Sequence, residues 1–155
     1  MTVSLIAPKV PANYLMCRPA DFLDETLDRM VSLKESAVIV VERTGEVVGL
    51  LTDEDVLRAV QSRAEVGDSI AREHVFAWMS EDPTKIDLNA PLEEALATMD
   101  REKIRHLIVM QDEHPVCIIG IADVLAAMHE KDVTIIHEMR GVIFKTPSKP
   151  TALAS

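Results

Sequence analysis

The sequence is short of aromatic residues and of positive charge, and both shortages exclude classes of partner. Aromatic residues make up 3% of the 155 positions, which argues against a base-stacking surface for single-stranded nucleic acid. The formal net charge is −10, whereas nucleic acids and anionic membranes select clustered Lys and Arg. The remaining composition, 48% hydrophobic and 27% charged, is typical of one globular domain with an aliphatic core.

Long hydrophobic runs and multiple cysteines are also missing. The longest apolar stretches, such as AVIVV at 37–41, are too short to span a bilayer, and residues 1–12 do not follow the pattern of a signal peptide. Cys17 and Cys117 are too few for a disulfide scaffold and stand apart from any second thiol. We therefore expect a cytoplasmic protein, without membrane insertion, whose thiols are reduced and structural.

Sequence patterns for catalysis and metal binding are absent too. The chain has neither a glycine-rich phosphate loop nor a nucleophile elbow, and its histidines do not follow HExxH or HxH spacing. Asp53, Glu54 and Asp55 are consecutive, so on a helix they would not face one ion together. The sequence therefore predicts a protein that is not an enzyme and that binds no metal.

What the chain does contain is an internal duplication. The spacing between the copies shortens by one residue at a turn, where such changes are tolerated. The recurring positions include Leu23, Met30, Val40, Asp55 and Val56, whose second copies are Leu92, Met99, Val109, Asp123 and Val124.

Each copy has the pattern helix, strand, strand, helix. Apolar residues at i, i+4 and i+7 mark the first helix of each copy. The strands are AVIVVE (37–42) and EVVGLL (46–51) in one copy and HLIVMQ (106–111) and VCIIG (116–120) in the other, and the last helices are 53–64 and 122–131. One unit is too small to bury both faces of its sheet. We therefore predict an α/β (α+β) fold of two pseudo-symmetric repeats, each a small sheet flanked by helices.

Three segments lie outside the duplicated pattern. Residues 66–87 are predicted to form a connecting helix and a lead-in strand, with Trp78 and Met79 packed in the interface between the copies. Residues 132–144 fit either a terminal helix or a strand. Residues 146–155 have the prolines and small polar residues of a disordered tail.

The stretch GLLTDED at 49–55 has a local and a functional interpretation. Locally, Thr52 and Asp55 fit a variant of the capping box, which starts a helix. Functionally, a carboxylate can accept from both hydroxyls of a vicinal diol, and a helix N-terminus suits a phosphate. Arg58, one helical turn further, has three interpretations that stay open: it reaches a phosphate, it is a solvated charge, or it pairs with Glu54.

Three features together carry a resemblance: the stretch 49–55, the internal repeat and KIRHLIV at 103–109. On these, the sequence resembles a tandem pair of cystathionine β-synthase (CBS) domains, often called a Bateman module, over roughly residues 8 to 131. We expect a first repeat at 8–66, a second at 67–131 and a C-terminal extension at 132–155. The resemblance implies a stand-alone regulatory module that binds AMP, ADP, ATP or S-adenosylmethionine between the repeats. It also implies a homodimer that signals to an unidentified protein.

The family motif implies roles for particular residues. Asp55 would take the ribose hydroxyls, Thr52 would lie near the phosphate, and Arg105 and His106 would face the phosphates. Asp123 matches Asp55 in the second copy and is a further candidate, as is Arg58 above.

The second copy departs from the motif. Cys117 and Gly120 occupy the positions of Gly49 and Thr52, although Asp123 persists, and the basic pair has no counterpart in the first copy. The persistence of Asp123 without its threonine favours, weakly, a role beyond capping. We predict one competent cleft, or one strong and one weak. The alternative is a ligand-free dimerisation or scaffold protein that has kept the CBS fold.

Overall fold

A computed structural model of the chain describes residues 1–7 and 16–130, so the interpretations of 132–144 and 146–155 lie outside the described residues. The first half contains β1 (Met16–Cys17), α1 (Leu23–Leu33), β2 (Ala37–Val41), β3 (Val47–Thr52), α2 (Asp53–Glu65) and β4 (Ser80–Glu81). The second contains β5 (Lys85–Asp87), α3 (Leu92–Glu102), β6 (His106–Gln111), β7 (His114–Gly120) and a helix α4 over 121–130. Among these described helices, none is long and apolar enough to cross a membrane.

The two halves repeat one another, which confirms the predicted fold class. The strand order is β1-β2-β3-β4 in one sheet and β5-β6-β7 in the other. In each half the first and second strands pair in parallel, and the second and third form an antiparallel hairpin. Both hairpins shift register at the same place, between Val40 and Val41 and between Val109 and Met110.

The first helices of the two repeats are also built alike. Each buries one apolar face against its sheet, with Leu23 and Met30 on α1 and Leu92 and Met99 on α3. Each ends at a lysine in the left-handed conformation with φ 56°. This residue breaks the helical hydrogen-bond pattern and turns the chain into the next strand. The apolar spacing read from the sequence therefore predicted the buried faces correctly.

The segment between the repeats is not the predicted connecting α-helix. Gly67, with φ +73°, terminates α2, and the chain continues through two short 3-10 turns, Ile70–Arg72 and Val75–Ala77. It then forms β4, which pairs with β3 of the first sheet, before the lead-in strand β5 forms as predicted. The prediction of a helix was wrong because this segment returns to extend the first sheet.

This return also changes the environment of Trp78 and Met79. Both pack against the core of the first repeat, and the Trp78 indole donates to Glu73 Oε2 at 3.1 Å. The two repeats instead meet through a separate aliphatic cluster, in which Ile39 and Leu50 from the first sheet contact Ile108 from the second. The placement of Trp78 and Met79 between the copies was therefore wrong.

Residues 1–7 complete the core of the second repeat. Val3 is fully buried with Leu92 and Cys117. Its N–H donates to Ala90 O at 2.9 Å, and Leu92 N–H donates to Met1 O at 3.1 Å. The N-terminal segment therefore belongs, in packing terms, to the half of the chain that is more distant in sequence.

Residues 73–79 do the same for the first repeat. Val75, also fully buried, donates to Asp21 O at 2.9 Å, and Leu23 N–H donates to Glu73 O at 2.8 Å. Both segments then form a 3-10 turn, Val3–Leu5 and Val75–Ala77. Core packing thus crosses the repeat boundaries that the duplication suggests.

We expect Val3→Ala and Val75→Ala to destabilise the fold by similar amounts, about 1–3 kcal/mol each, because each truncates a fully buried side chain in an equivalent place. Urea denaturation followed by circular dichroism measures both. A loss for Val75→Ala without one for Val3→Ala would show that residues 1–7 do not hold the second repeat together.

Candidate functional site

A cleft of about 330 Å³ lies between the two repeats. One wall comes from the end of β3 and the start of α2, with Thr52 and Asp55; the other comes from the residues that lead into β6, with Arg105 and His106. The structure therefore brings together four of the six predicted site residues. The remaining two, Arg58 and Asp123, do not line this cleft.

Thr52 and Asp55 form the complete capping box that their spacing predicts. Asp55 Oδ2 accepts from the Thr52 N–H at 2.9 Å and from the Thr52 hydroxyl at 3.1 Å, while Thr52 Oγ1 accepts from the Asp55 N–H at 3.4 Å. These bonds satisfy donors that the start of α2 would otherwise leave free. The local interpretation of the stretch 49–55 is confirmed.

Arg58 holds the other oxygen of the same carboxylate. Its Nη2 donates to Asp55 Oδ1 at 2.9 Å and to Trp78 O at 3.3 Å. These two bonds hold the guanidinium against the Asp55 carboxylate. The suggested pair between Arg58 and Glu54 was wrong, since Glu54 turns toward the cleft and lies 3.7 Å from Arg105. Arg58 therefore holds the Asp55 carboxylate in place without lining the cleft itself.

The hydrogen bonds of Asp55 limit how it can take a ligand. A carboxylate offers about four acceptor positions. In Asp55, only 6% exposed, Thr52 occupies two of them and Arg58 a third. Within residues 1–7 and 16–130, nothing occupies the fourth position, on Oδ1, so it can accept from a hydroxyl. A second hydroxyl would have to replace the Thr52 hydroxyl or part of the Arg58 contact.

The second repeat contributes cations and a histidine to the cleft. Arg105 pairs with Glu54 across the cleft, and since both side chains are more than two-thirds exposed the pair adds little stability. His106 Nε2 lies 2.9 Å from Ser36 Oγ and so joins the two repeats. Ser36 is itself held within the first repeat, because Asp53 N–H at the start of α2 donates to Ser36 O at 2.9 Å.

A smaller cleft of about 80 Å³ lies in the pseudo-symmetric position. It is lined by Ser36, His106, Gly120 and Asp123, among others, so His106 belongs to both clefts. Asp123 Oδ2 accepts from the Gly120 N–H at 2.9 Å, which is half of the capping box seen in the first repeat. Capping thus explains why Asp123 persists without a threonine, and its persistence no longer favours a ligand role.

Packing also explains why the first repeat has Gly49 where the second has Cys117. A Cβ on Gly49 would lie 2.5 Å from Met79 Sδ and 3.1 Å from Ser80 O, because β4 runs close beside it. In the second repeat, Ala7 takes the place of Met79: its N–H donates to Val3 O as the Met79 N–H donates to Val75 O. The smaller alanine leaves room for the Cys117 side chain.

Neither thiol is suited to nucleophilic chemistry. Burial, reinforced by the negative charge of Asp21, raises the pKa of Cys17 from 9.0 to about 12, with Arg29 opposing. Burial and then Asp123 raise the pKa of Cys117 from 9.0 to about 11. Both cysteines are free, and at neutral pH both thiols are protonated.

The sequence interpretation missed the acidic side of the larger cleft. Glu81 and Asp82, from β4 and the turn after it, line the same cleft as Arg105. Their position follows from the pairing of β4 with β3. With two residues, β4 is too short to show a periodicity in the sequence. Over residues 1–7 and 16–130, the structure shows no group of three or more His, Cys, Asp or Glu side chains that could hold a metal ion.

Comparison with known proteins identifies the family. The model of the family described as CBS domain matches residues 10–62 and again residues 71–130. The chain belongs to the CBS domain family. The resemblance of the whole to a tandem CBS pair is confirmed by its structural neighbours. A search of the curated proteins found no match.

Several solved CBS structures share the fold. The CBS domain pair of MJ0100, in complex with 5-methylthioadenosine and S-adenosyl-L-methionine, has a TM-score of 0.73 and 17% identity, covering 84% of this chain and 98% of that one. CBSX2 in complex with AMP has a TM-score of 0.67 and 22% identity, with coverage of 84% and 98%. The CBS-domain protein ATU1752 from Agrobacterium tumefaciens has a TM-score of 0.66 and 23% identity, with coverage of 73% and 82%.

Proposed function

We propose that this CBS pair is a stand-alone regulatory module that binds an adenosine-containing ligand in the larger cleft. The observation that carries the proposal is the cleft between the repeats, where Asp55 keeps one acceptor position open and Arg105 and His106 lie on the opposite wall. Two structures with the same fold carry such ligands, AMP in CBSX2 and S-adenosyl-L-methionine with 5-methylthioadenosine in MJ0100.

Ligand binding would act on the contacts that join the repeats. A ligand that uses Asp55 from the first repeat and Arg105 from the second competes with the exposed pair between Arg105 and Glu54. If the ligand also recruits His106, it weakens the bond to Ser36. The ligand then favours one relative arrangement of the repeats, and this population shift is the signal that a regulated protein would read.

The proposal includes one ligand per chain. The smaller cleft is about 80 Å³ against about 330 Å³, and Gly120 there has no hydroxyl to offer a phosphate. Its counterpart of the basic pair is Ser36 and Ala37, so cationic side chains are lacking on that wall. The smaller cleft is therefore expected to stay empty.

Thermal unfolding with adenosine, AMP, ATP and S-adenosylmethionine tests the proposal. At least one of them should raise the Tm in a concentration-dependent manner, because a ligand that binds only the folded state stabilises it. No shift with any of them would contradict the proposal. Combined with a persistent dimer, that result would favour the alternative of a ligand-free scaffold.

We also propose that the chain forms a homodimer through α2 and α4. Leu57 on α2 and Leu125 on α4 occupy equivalent positions in the duplication, and they are 67% and 48% exposed. Large apolar side chains repeated at one exposed position on both repeats are typical of a surface that a second copy covers.

The dimer proposal predicts that Leu57→Glu combined with Leu125→Glu gives a monomer in light scattering, while the original chain is a dimer. A single Val66→Glu change is the control, because Val66 is 68% exposed but lies beyond the end of α2. A monomeric original chain, or a dimer that survives both leucine changes, would contradict the proposal.

A further inference from the structure

The larger cleft carries an excess of negative charge, which bears on the class of ligand that it would bind under the function proposed above. Two lysine or arginine side chains line it, and four carboxylates oppose them. The carboxylates are Glu54, Asp55, Glu81 and Asp82, and the cations are Lys103 and Arg105.

Both cations already have a carboxylate partner. Arg105 lies 3.7 Å from Glu54, and Lys103 Nζ lies 3.5 Å from Asp100, outside the cleft. An anionic ligand must therefore compete for Arg105 and Lys103. The hydrogen bond between His106 and Ser36 adds a further cost if His106 is recruited.

The carboxylates are not neutralised to the same degree. Arg58 offsets the charge of Asp55 at 2.9 Å, and Glu54 is offset by Arg105. Across the described residues, Glu81 and Asp82 make no side-chain hydrogen bond or ion pair. These two side chains leave uncompensated negative charge on the wall of the cleft.

The backbone fixes Glu81 and Asp82 at this wall. Glu81 pairs with Gly49 in the sheet, and Asp82 follows in a left-handed turn with φ 48° before Pro83. Since β4 is anchored beside β3, the segment cannot withdraw from the cleft without breaking the sheet. A phosphate chain in the cleft would share the cavity with these two exposed charges.

We propose that Glu81 and Asp82 make the cleft selective for adenosyl ligands with little or no negative charge. The favoured class is adenosine, its sulfonium derivatives such as S-adenosylmethionine, and at most a monophosphate; di- and triphosphates are rejected. Each additional phosphate adds negative charge beside carboxylates that lack a counter-ion.

The size of the effect follows from Coulomb's law. Two unit charges about 7 Å apart at an effective dielectric constant of about 20–40 repel enough to weaken binding by about 7- to 50-fold before salt screening. Removing two such charges is therefore expected to raise the affinity for a triphosphate by about tenfold or more. The affinity for uncharged adenosine should not change.

Isothermal titration calorimetry in EDTA at low salt, with adenosine, AMP, ADP and ATP, tests the inference. In the original chain, affinity should fall from AMP to ADP to ATP. In a Glu81→Gln, Asp82→Asn variant, ATP affinity should rise about tenfold while adenosine affinity stays the same. A variant with Asp112→Asn and Glu113→Gln is the control, since it makes the same net change of charge at the hairpin turn after β6.

The outcomes separate this inference from the proposed function. ATP that binds the original chain as tightly as AMP, or an equal gain in the control variant, would overturn the charge selectivity and leave nucleoside binding intact. Absence of binding by every ligand, adenosine included, would overturn the proposed function and this inference together.

Discussion

Replacing Asp55 with Ala should lower the affinity for an adenosine ligand at least about tenfold and destabilise the chain by about 1–3 kcal/mol. The binding loss comes from the open acceptor position on Oδ1, since a hydrogen bond to a charged group is worth about 1.5–3 kcal/mol. The stability loss comes from the capping box and from the contact with Arg58. Calorimetry and urea denaturation measure the two effects separately.

Asp123→Ala is the matched control for this experiment. It removes the equivalent capping contact, between Asp123 and the Gly120 N–H, in the smaller cleft. Because Asp123 is exposed and makes half of the box, its loss should cost less than about 1 kcal/mol and leave ligand affinity unchanged. If Asp123→Ala weakened binding as much as Asp55→Ala, the assignment of the ligand to the larger cleft would be wrong.

Gly49→Ala should destabilise the chain by about 1–3 kcal/mol. A change from glycine to alanine also lowers the entropy of the unfolded state, which by itself would stabilise the fold, but the steric clash outweighs this gain. The new Cβ would stand 2.5 Å from Met79 Sδ and 3.1 Å from Ser80 O, and β4 cannot move away without losing its pairing to β3. Because β4 carries part of the larger cleft, weaker ligand binding should accompany the loss of stability. Denaturation in urea measures the change.

Met79→Ala supplies the test of the cause. In the second repeat, Cys117 and Ala7 belong to one core cluster, and Ala7 holds the backbone position equivalent to Met79, so a smaller side chain at position 79 should accept a Cβ at position 49. Gly49→Ala should therefore cost at least about 1 kcal/mol less when Met79→Ala is present than when it is absent. Additive effects of the two changes would show that the glycine is needed for a reason other than this contact.

Much of the fold was predictable because each repeat carries local patterns strong enough to read. The apolar stripe of Leu23 and Met30 predicted α1, and its second copy predicted α3. The alternation of apolar strands and turns predicted both hairpins. Thr52 and Asp55 predicted the start of α2, since capping depends only on residues three apart.

The parts that failed depend on contacts distant in sequence. Residues 66–87 were predicted to form a helix and a lead-in strand, but Ser80 and Glu81 pair instead with Leu50 and Gly49 of β3. Residues 1–7 pack on the second repeat as residues 73–79 pack on the first. In sequence, the two segments share only a valine at one equivalent position. Local pattern cannot show such pairings, because tertiary packing decides them.

The residues of the candidate site also fall into those that local sequence predicted and those that only the structure revealed. Thr52, Asp55, Arg105 and His106 were found because a motif marks them. Glu81 is not marked, because a two-residue strand and a turn bring it to the cleft. The number of acceptor positions left on Asp55 depends on where the Arg58 side chain points, and this also required the structure.

A crystal structure of the chain grown with adenosine at saturating concentration tests the central claim most directly. It should show one adenosine per chain in the larger cleft, with a ribose hydroxyl within hydrogen-bond distance of Asp55 Oδ1, and nothing in the smaller cleft beside Asp123. Adenosine bound elsewhere, or bound equally in both clefts, would contradict the account.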